Sequence, residues 1–311
     1  QDRMTVKQIA NLFHRINWQF VLQNIMQNKE HKMKTFEWKW KSFDGLDMFA
    51  QGWVPEKDPK AVVCLVHGLG EHIGRYEHVG AAFAAADYAL LGFDLRGHGK
   101  SGGARGHTPS LEAFFKDMDD FVAQAASRYP SAPRFLYGHS LGGLLSLSYS
   151  LSHKLDARGM IISSPGLRTA IHEQKMKLML AKVLGSLAPT ISLPSELSTA
   201  HLSRDPQVVT AYVNDPLVHD KITTGFGRAG LQATDIVFAR AAQLPVPILL
   251  AYCSGDQIAF PRGSEEFARL APQGLVTLKR FEGLYHEPHN EPEKADVLKT
   301  YIQWLDAQVK I

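Results

Sequence analysis

The central part of the chain alternates short apolar runs with stretches of helical periodicity. Apolar runs of four to seven residues predict buried strands, whereas apolar residues three or four positions apart predict amphipathic helices. The predicted strands are 61–66, 88–93, 134–137, 159–162, 246–252 and 276–281, and the predicted helices are about 110–128, 141–152, 264–270 and 293–309. Strands that alternate with helices indicate an α/β fold with a mostly parallel sheet and helices on both faces.

Two segments depart from this alternation. From Thr35 to Val54, short alternating runs flank Asp44-Gly45, which predicts a β-hairpin. After Pro165 the strand pattern stops, and helical patterns continue until the apolar run at 246–252. We therefore expect a core made of residues 35–165 and 241–311, with an inserted helical cap at 166–240.

The first 34 residues form a basic, amphipathic extension. Residues 1–41 carry eight Lys and Arg against three acidic residues, whereas the whole chain has a net charge of +3. Apolar residues at helical spacing in this segment predict an amphipathic helix. Such a helix can lie on a membrane surface, or its apolar stripe can pack on this protein or on a second subunit. Both alternatives stay open, as does the oligomeric state. The stripe consists of Val6, Ile9, Phe13, Ile16 and Phe20.

Composition excludes several classes of protein. The 311 residues are 45% hydrophobic and 21% charged, which is typical of globular domains and not of coiled coils or disordered chains. The small net charge, without basic runs among aromatic residues, gives no reason to expect nucleic acid as a partner. No apolar run reaches the ~18 residues of a membrane span. Two cysteines, Cys64 and Cys253, are too few for a disulfide framework, so we expect both to be buried free thiols. This cysteine usage, without an apolar leader in the sequence, favours a cytoplasmic location.

The sequence Gly138-His139-Ser140-Leu141-Gly142 matches G-x-S-x-G. It follows a predicted strand and precedes a predicted helix, as a nucleophile elbow requires. In such a turn the serine side chain stands clear at the helix N-terminus, and the N–H of Leu141 points at a developing oxyanion. An ordinary strand-to-helix turn with a serine cap is the alternative.

A nucleophilic serine needs a base, and the base needs an orienting carboxylate. Asp256 and His286 each follow a predicted strand, in the order that this architecture uses after the serine. His289 competes with His286 for the role of base, but the shorter connection to the strand favours His286. The loop after the first parallel strand offers the N–H of Leu69 as a second oxyanion donor.

Three cofactor or metal motifs are nearly matched but fail. A dinucleotide loop needs glycine where Ile73 stands, and a phosphate-binding loop needs glycine where Asp94 stands. His286 and His289 are three residues apart with Pro288 between them, whereas the zinc motif needs a spacing of four on a helix. No cofactor and no metal are therefore expected.

Five motifs together resemble the monoacylglycerol lipases of the α/β-hydrolase fold, over a region from about Thr35 to the C-terminus. The resemblance implies the triad Ser140, Asp256 and His286, with an oxyanion hole from Leu69 and Leu141. Leu69 is bulkier than the residue often found there. The motifs are His67-Gly-Leu-Gly-Glu-His72, Phe93-Asp-Leu-Arg-Gly-His-Gly-Lys-Ser101, Gly138-His-Ser-Leu-Gly-Gly143, Ser203-Arg-Asp-Pro206 and Asn214-Asp-Pro-Leu217.

The resemblance also implies residues that hold a glycerol headgroup: Glu71, Arg75, Tyr212 and His289. A structural ion pair is the alternative for Glu71 and Arg75, and packing within the cap is the alternative for Tyr212. The expected activity is hydrolysis of a lipid ester, monoacylglycerol, by a serine esterase. A lysophospholipase or general carboxylesterase with the same triad is the near alternative, and a non-catalytic binding protein is the distant one.

The apolar stretch from Lys175 to Leu193 covers more than one face of any helix that it forms. We expect it to contact an acyl chain or a lipid surface, which would make the protein peripheral at the membrane. Packing wholly within the protein is the alternative.

Overall fold

The structure is a computed structural model, and it describes residues 33–174 and 183–310. The stripe predicted in the N-terminal extension and the first part of the predicted apolar stretch, residues 175–182, lie outside the described residues. Both cysteines are buried and free, as predicted.

A mostly parallel sheet forms the centre of the fold. The strands are β1 (Lys34–Lys41), β2 (Asp47–Val54), β3 (Ala61–Val66), β4 (Tyr88–Phe93), β5 (Arg134–His139), β6 (Met160–Ser163), β7 (Ser192–Pro194), β8 (Lys221–Thr223), β9 (Ile248–Cys253) and β10 (Val276–Phe281). In the described part of the chain, the main sheet has the order β1-β2-β4-β3-β5-β6-β9-β10. The hairpin β1–β2 and the pair β2–β4 are antiparallel, and the other pairs are parallel. The predicted hairpin is confirmed.

The sheet lies between two apolar cores because alternate residues of each strand point to opposite faces. In β3, Val62 and Cys64 point into one core, while Val63 and Leu65 point into the other. Burial on both faces explains why these strands are continuous apolar runs in the sequence.

Helices cover both faces of the sheet. Those described are α1 (Glu77–Ala85), α2 (Leu111–Arg128), α3 (Leu141–Ser150), α4 (Ala170–Glu173), α5 (Pro206–Asn214), α6 (Thr224–Arg240), α7 (Pro261–Leu270) and α8 (Lys294–Val309). Side chains of α2, α3, α6 and α7 fill one core, and those of α1 and α8 fill the other. The sequence did not predict α1, and α7 begins three residues before the predicted start.

The segment between β6 and β9, which we call the insertion, differs from its predicted form in two respects. It contains two short strands, β7 and β8, which pair antiparallel. The sequence showed no strand pattern there, because strands of three residues are too short to show one. In addition, α6 buries Phe226, Ala229 and Val237 in the same core as Leu144 of α3.

The packing of α6 bears on where the cap ends. The sequence places residues 224–240 in a cap at 166–240, but their buried face belongs to the core beneath the sheet. We propose that the cap is limited to residues 166–223, with α6 as a core helix.

Candidate active site

Ser140 stands alone between β5, which ends at His139, and α3, which begins at Leu141. Its backbone has φ +53° and ψ −115°, a conformation that costs an L-residue free energy. The turn is tight enough that a Cβ on Gly142 would clash with the carbonyl of Val66. Glycine is therefore required at position 142, and Ser140 is held at the N-terminus of α3.

The structure brings the three predicted triad residues together. His286 Nε2 lies 2.8 Å from Ser140 Oγ, and His286 Nδ1 lies 2.8 Å from Asp256 Oδ2. The other carboxylate oxygen of Asp256 accepts the backbone N–H groups of Ile258 and Ala259, at 2.8 and 2.9 Å. Asp256 follows β9 and His286 follows β10, so adjacent parallel strands deliver both side chains to the same edge of the sheet as Ser140.

The electrostatic surroundings single out His286 among the histidines at this site. Burial alone would lower its pKa, but the charge of Asp256 and the hydrogen bond to it outweigh burial and raise the pKa of His286 above its usual value. Burial instead lowers the pKa of His139 and of His289. His286 is thus the imidazole here that is best able to accept a proton.

His289, the competing candidate for the base, lies near His139 but makes other contacts. Its ring is fully buried and stacks on Tyr76 with the ring centroids 4.7 Å apart. Its backbone carbonyl accepts a hydrogen bond from His78 Nε2 at 2.8 Å. Among the described contacts, the hydrogen bond to Ser140 Oγ belongs to His286 and not to His289.

The two predicted oxyanion donors belong to two segments that adjoin Ser140. Leu141 is the first residue of α3, and Leu69 lies in the loop after β3. This loop adjoins the serine, because a Cβ on Gly68 would lie 3.3 Å from Ser140 Cβ. Glu71 shapes the loop by accepting the N–H of Gly68 at 2.6 Å.

A buried network joins the loop after β3 to the loop that carries His286. We call the first of these the oxyanion loop, because it contains the predicted oxyanion donor Leu69. Arg75 donates to Glu71 Oε2 at 2.7 Å and to both carboxylate oxygens of Glu287, each at 2.7 Å. Asn290 Nδ2 donates to Glu287 Oε2 at 2.7 Å, and the Arg75 guanidinium lies 4.7 Å from the ring centroid of Tyr212. Three of the predicted headgroup residues, Glu71, Arg75 and Tyr212, are therefore neighbours. Glu71 and Arg75 also form the structural ion pair that was their alternative expected role.

Glu287 is the acidic residue of this network that the sequence did not reveal. Burial alone would raise its pKa, but the Arg75 charge and its hydrogen bonds hold the pKa of Glu287 at about 2. Glu71 accepts one hydrogen bond from the Arg75 guanidinium, whereas Glu287 accepts two. Burial raises the pKa of Glu71. Glu287 is thus ionised at neutral pH, one residue away from His286.

Comparison with known proteins shows the family of this chain. Residues 57–293 match the family described as Serine aminopeptidase, S33. The chain is 38% identical over 254 residues to a monoacylglycerol lipase of Mycolicibacterium smegmatis, which covers 81% of this chain and 90% of that protein. This chain belongs to the monoacylglycerol lipase family of α/β-hydrolases. Membership in this family makes it a carboxylic ester hydrolase.

Two further relatives complete the comparison. An uncharacterized abhydrolase domain-containing protein of Dictyostelium discoideum is 38% identical over 260 residues, or 83% of this chain, but the chain spans only 27% of that protein. The crystal structure of a monoacylglycerol lipase from Paleococcus ferrophilus superposes with a TM-score of 0.76 at 32% identity, covering 89% of this chain and 100% of that one. The α/β-hydrolase fold expected from the sequence is confirmed.

Proposed function

We propose that this enzyme cleaves monoacylglycerol to a fatty acid and glycerol through an acyl-enzyme on Ser140. The observation that carries the proposal is the continuous hydrogen-bonded chain from Ser140 through His286 to Asp256, with 2.8 Å at each step. The relatives named monoacylglycerol lipase support this choice of substrate.

In the proposed mechanism, Ser140 Oγ attacks the ester carbonyl while His286 Nε2 takes its proton. Asp256 holds the Nδ1–H tautomer of the imidazole and stabilises the imidazolium. The N–H groups of Leu69 and Leu141 bind the oxyanion of the tetrahedral intermediate. His286 then protonates the leaving glycerol, and water attacks the acyl-enzyme with His286 again acting as base.

We extend the proposal to the glycerol headgroup. Arg75 and Tyr212 lie in contact, and Glu71 joins them to the oxyanion loop. A polyol needs a few directed donors and acceptors, and these side chains carry both. The assignment of His289 to the headgroup stays a prediction, because its ring packs on Tyr76.

A comparison of ester substrates tests the proposal. Purified enzyme should hydrolyse monoacylglycerol with a higher kcat/KM than lysophosphatidylcholine or a short p-nitrophenyl ester. Ser140→Ala should lower kcat by about 10⁶-fold while the fold is kept. A preference for lysophosphatidylcholine would favour the lysophospholipase alternative, and turnover by the Ala variant above a few per cent would refute the mechanism.

We also propose that the insertion contacts lipid. Exposed apolar side chains are concentrated in its first half, where Leu187 is 80% exposed and Val183, Ile191 and Leu193 are 44–48% exposed. Such patches mark interaction sites. No helix within residues 33–174 and 183–310 has the length and apolar character to cross a bilayer. The proposed contact is with the membrane surface or with the acyl chain of the substrate.

Vesicle sedimentation tests this contact. Leu187→Glu should reduce binding to vesicles of phosphatidylcholine and phosphatidylserine, and it should leave turnover of a soluble short-chain ester unchanged. Leu278→Glu is the matched control, because Leu278 is 45% exposed on the edge strand β10. Equal vesicle binding by both variants and the unmodified protein would show that the patch does not contact lipid.

A further inference from the structure

The insertion is bonded to the loop that carries His286. The backbone N–H of His286 donates to the carbonyl of His201 at 3.3 Å, and the N–H of Glu287 donates to the carbonyl of Leu202 at 2.8 Å. Both acceptors precede α5. The stretch of the insertion before α5 therefore runs alongside the histidine loop and is part of its support.

A buried carboxylate completes this support. Glu291 is fully buried, and its Oε1 accepts the N–H of Tyr285 at 2.8 Å and the N–H of Arg204 at 3.2 Å. The Arg204 side chain donates through Nε to the other oxygen at 2.8 Å, and its outer face pairs with Glu293. Tyr285 is the residue immediately before His286, so Glu291 fixes the backbone at the point where the histidine enters the site.

The other residues of the Ser203-Arg204-Asp205-Pro206 motif have local roles. Ser203 Oγ donates to the carbonyl of Asn290 at 3.1 Å and accepts the N–H of Asp205 at 3.0 Å. Asp205 caps α5, and Pro206 is its first residue. Arg204 is the member of the motif whose side chain reaches from the insertion to a buried charge in the histidine loop.

We propose that Arg204 is a positioning residue for His286, acting through Glu291. This rests on the proposed function, because it assumes that His286 is the base. A carboxylate that is buried without its cation tends to move toward water or to take up a proton. Either change weakens its hydrogen bonds to Tyr285 and to the Arg204 backbone, and the histidine loop shifts relative to Ser140. Proton transfer is sensitive to such shifts, since a misplacement of about 1 Å can cost about 10²-fold.

Arg204→Gln tests the proposal, and Arg168→Gln is its matched control. Arg168 also joins the insertion to the core by an Arg–Glu pair, with two hydrogen bonds of 2.8 and 2.9 Å to Glu266 in α7. The two arginine side chains are similarly exposed, at 35% and 29%. A second control, Glu293→Gln, removes only the outer partner of Arg204.

The assay uses a soluble short-chain p-nitrophenyl ester, with active sites counted by a phosphonate titrant. Arg204→Gln should lower kcat per active site about tenfold with KM within twofold. The acidic limb of its kcat/KM profile should move to lower pH, because a looser contact with Asp256 no longer raises the pKa of His286 as far. Both controls should keep kcat within twofold and leave the limb in place.

Wild-type kcat in Arg204→Gln, or an equal loss in Arg168→Gln, would overturn the proposal. If Arg204→Gln does not fold, Glu291→Gln replaces it, since the amide keeps an oxygen for Tyr285 but loses the charge that pairs with Arg204. That variant should also lose several-fold in kcat, and full activity in it would overturn the positioning role. An active Ser140→Ala variant would instead refute the underlying mechanism.

Discussion

Replacement of Glu287 by glutamine should destabilise the fold strongly, although the two side chains have nearly the same shape. The Glu287 carboxylate is 2% exposed and accepts two hydrogen bonds from Arg75 and one from Asn290. Glutamine offers one acceptor oxygen and turns an NH₂ group toward the guanidinium. The variant therefore leaves part of a buried cation without its counter-charge, and this is a costly kind of substitution.

Two independent arguments give the same loss in free energy of unfolding for Glu287→Gln. The pKa of Glu287 falls from 4.5 to about 2 on folding, and at about 1.4 kcal/mol for each pKa unit this corresponds to about 3 kcal/mol at neutral pH. Breaking a buried ion pair by removing one partner costs about 3–5 kcal/mol. At about 2.1 cal/mol/K of unfolding entropy per residue, about 3 kcal/mol lowers the melting temperature of a chain of this size by roughly 5 °C.

The pH dependence gives a second, sharper test. Because the pKa of Glu287 is lower in the folded state, its contribution is present above the unfolded pKa of 4.5 and is lost as the pH falls toward 2. The difference in free energy of unfolding between wild type and Glu287→Gln should therefore shrink to about half near pH 3.

Denaturant unfolding at pH 7 and pH 3 measures the loss in free energy of unfolding and its decrease at low pH. Glu37→Gln is the control, because its 3.0 Å pair with Lys100 is about half exposed and should contribute under about 1 kcal/mol. A Glu287→Gln variant as stable as this control at pH 7 would show that the Arg75 network does not stabilise the fold. A difference of the same size at both pH values would show that it does not act through charge.

Three more outcomes follow from the geometry. Asp256→Asn should lower kcat by about 10⁴-fold with little change in KM, measured on a soluble ester, because asparagine favours the wrong imidazole tautomer. The kcat/KM of the unmodified enzyme should rise with pH through a limb above 6.5, since His286 must be neutral and Asp256 raises its pKa; a limb below 6.5 would contradict this. Gly70→Ala should lower both melting temperature and kcat, because Gly70 has φ +77° and a Cβ there would lie 2.5 Å from the carbonyl oxygen of His219.

The central strands could be predicted because each is apolar on both faces. Helix α1 could not, because most of its residues are small. Its buried side chains include Val79 and Phe83, but a glycine and two alanines fill the positions between them, so no apolar stripe stands out against a polar face. Gly80 is needed there because a Cβ would clash with Trp53, and this close packing leaves no periodic signal in the sequence.

The site divides in the same way into local and long-range features. The positions of Asp256 and His286 follow from which strands precede them, so their approach to Ser140 could be anticipated. The buried ion pairs between distant residues could not be anticipated, since Arg75 and Glu287 are 212 positions apart and Arg204 and Glu291 are 87 apart. Charged residues in a sequence favour a surface assignment, and only the fold shows which of them are buried together.

At Ser140, the stability of the fold and the proposed hydrolysis favour different residues. Its positive φ costs about 1–3 kcal/mol, and glycine would adopt the same turn without strain. Glycine itself loses about 0.5–1 kcal/mol more in chain entropy on folding, so the exchange leaves a net gain of about 0–2.5 kcal/mol. On the proposed mechanism, a Ser140→Gly variant would therefore be inactive but at least as stable as the wild type. The turn by itself favours glycine at position 140, whereas the proposed hydrolysis requires the serine.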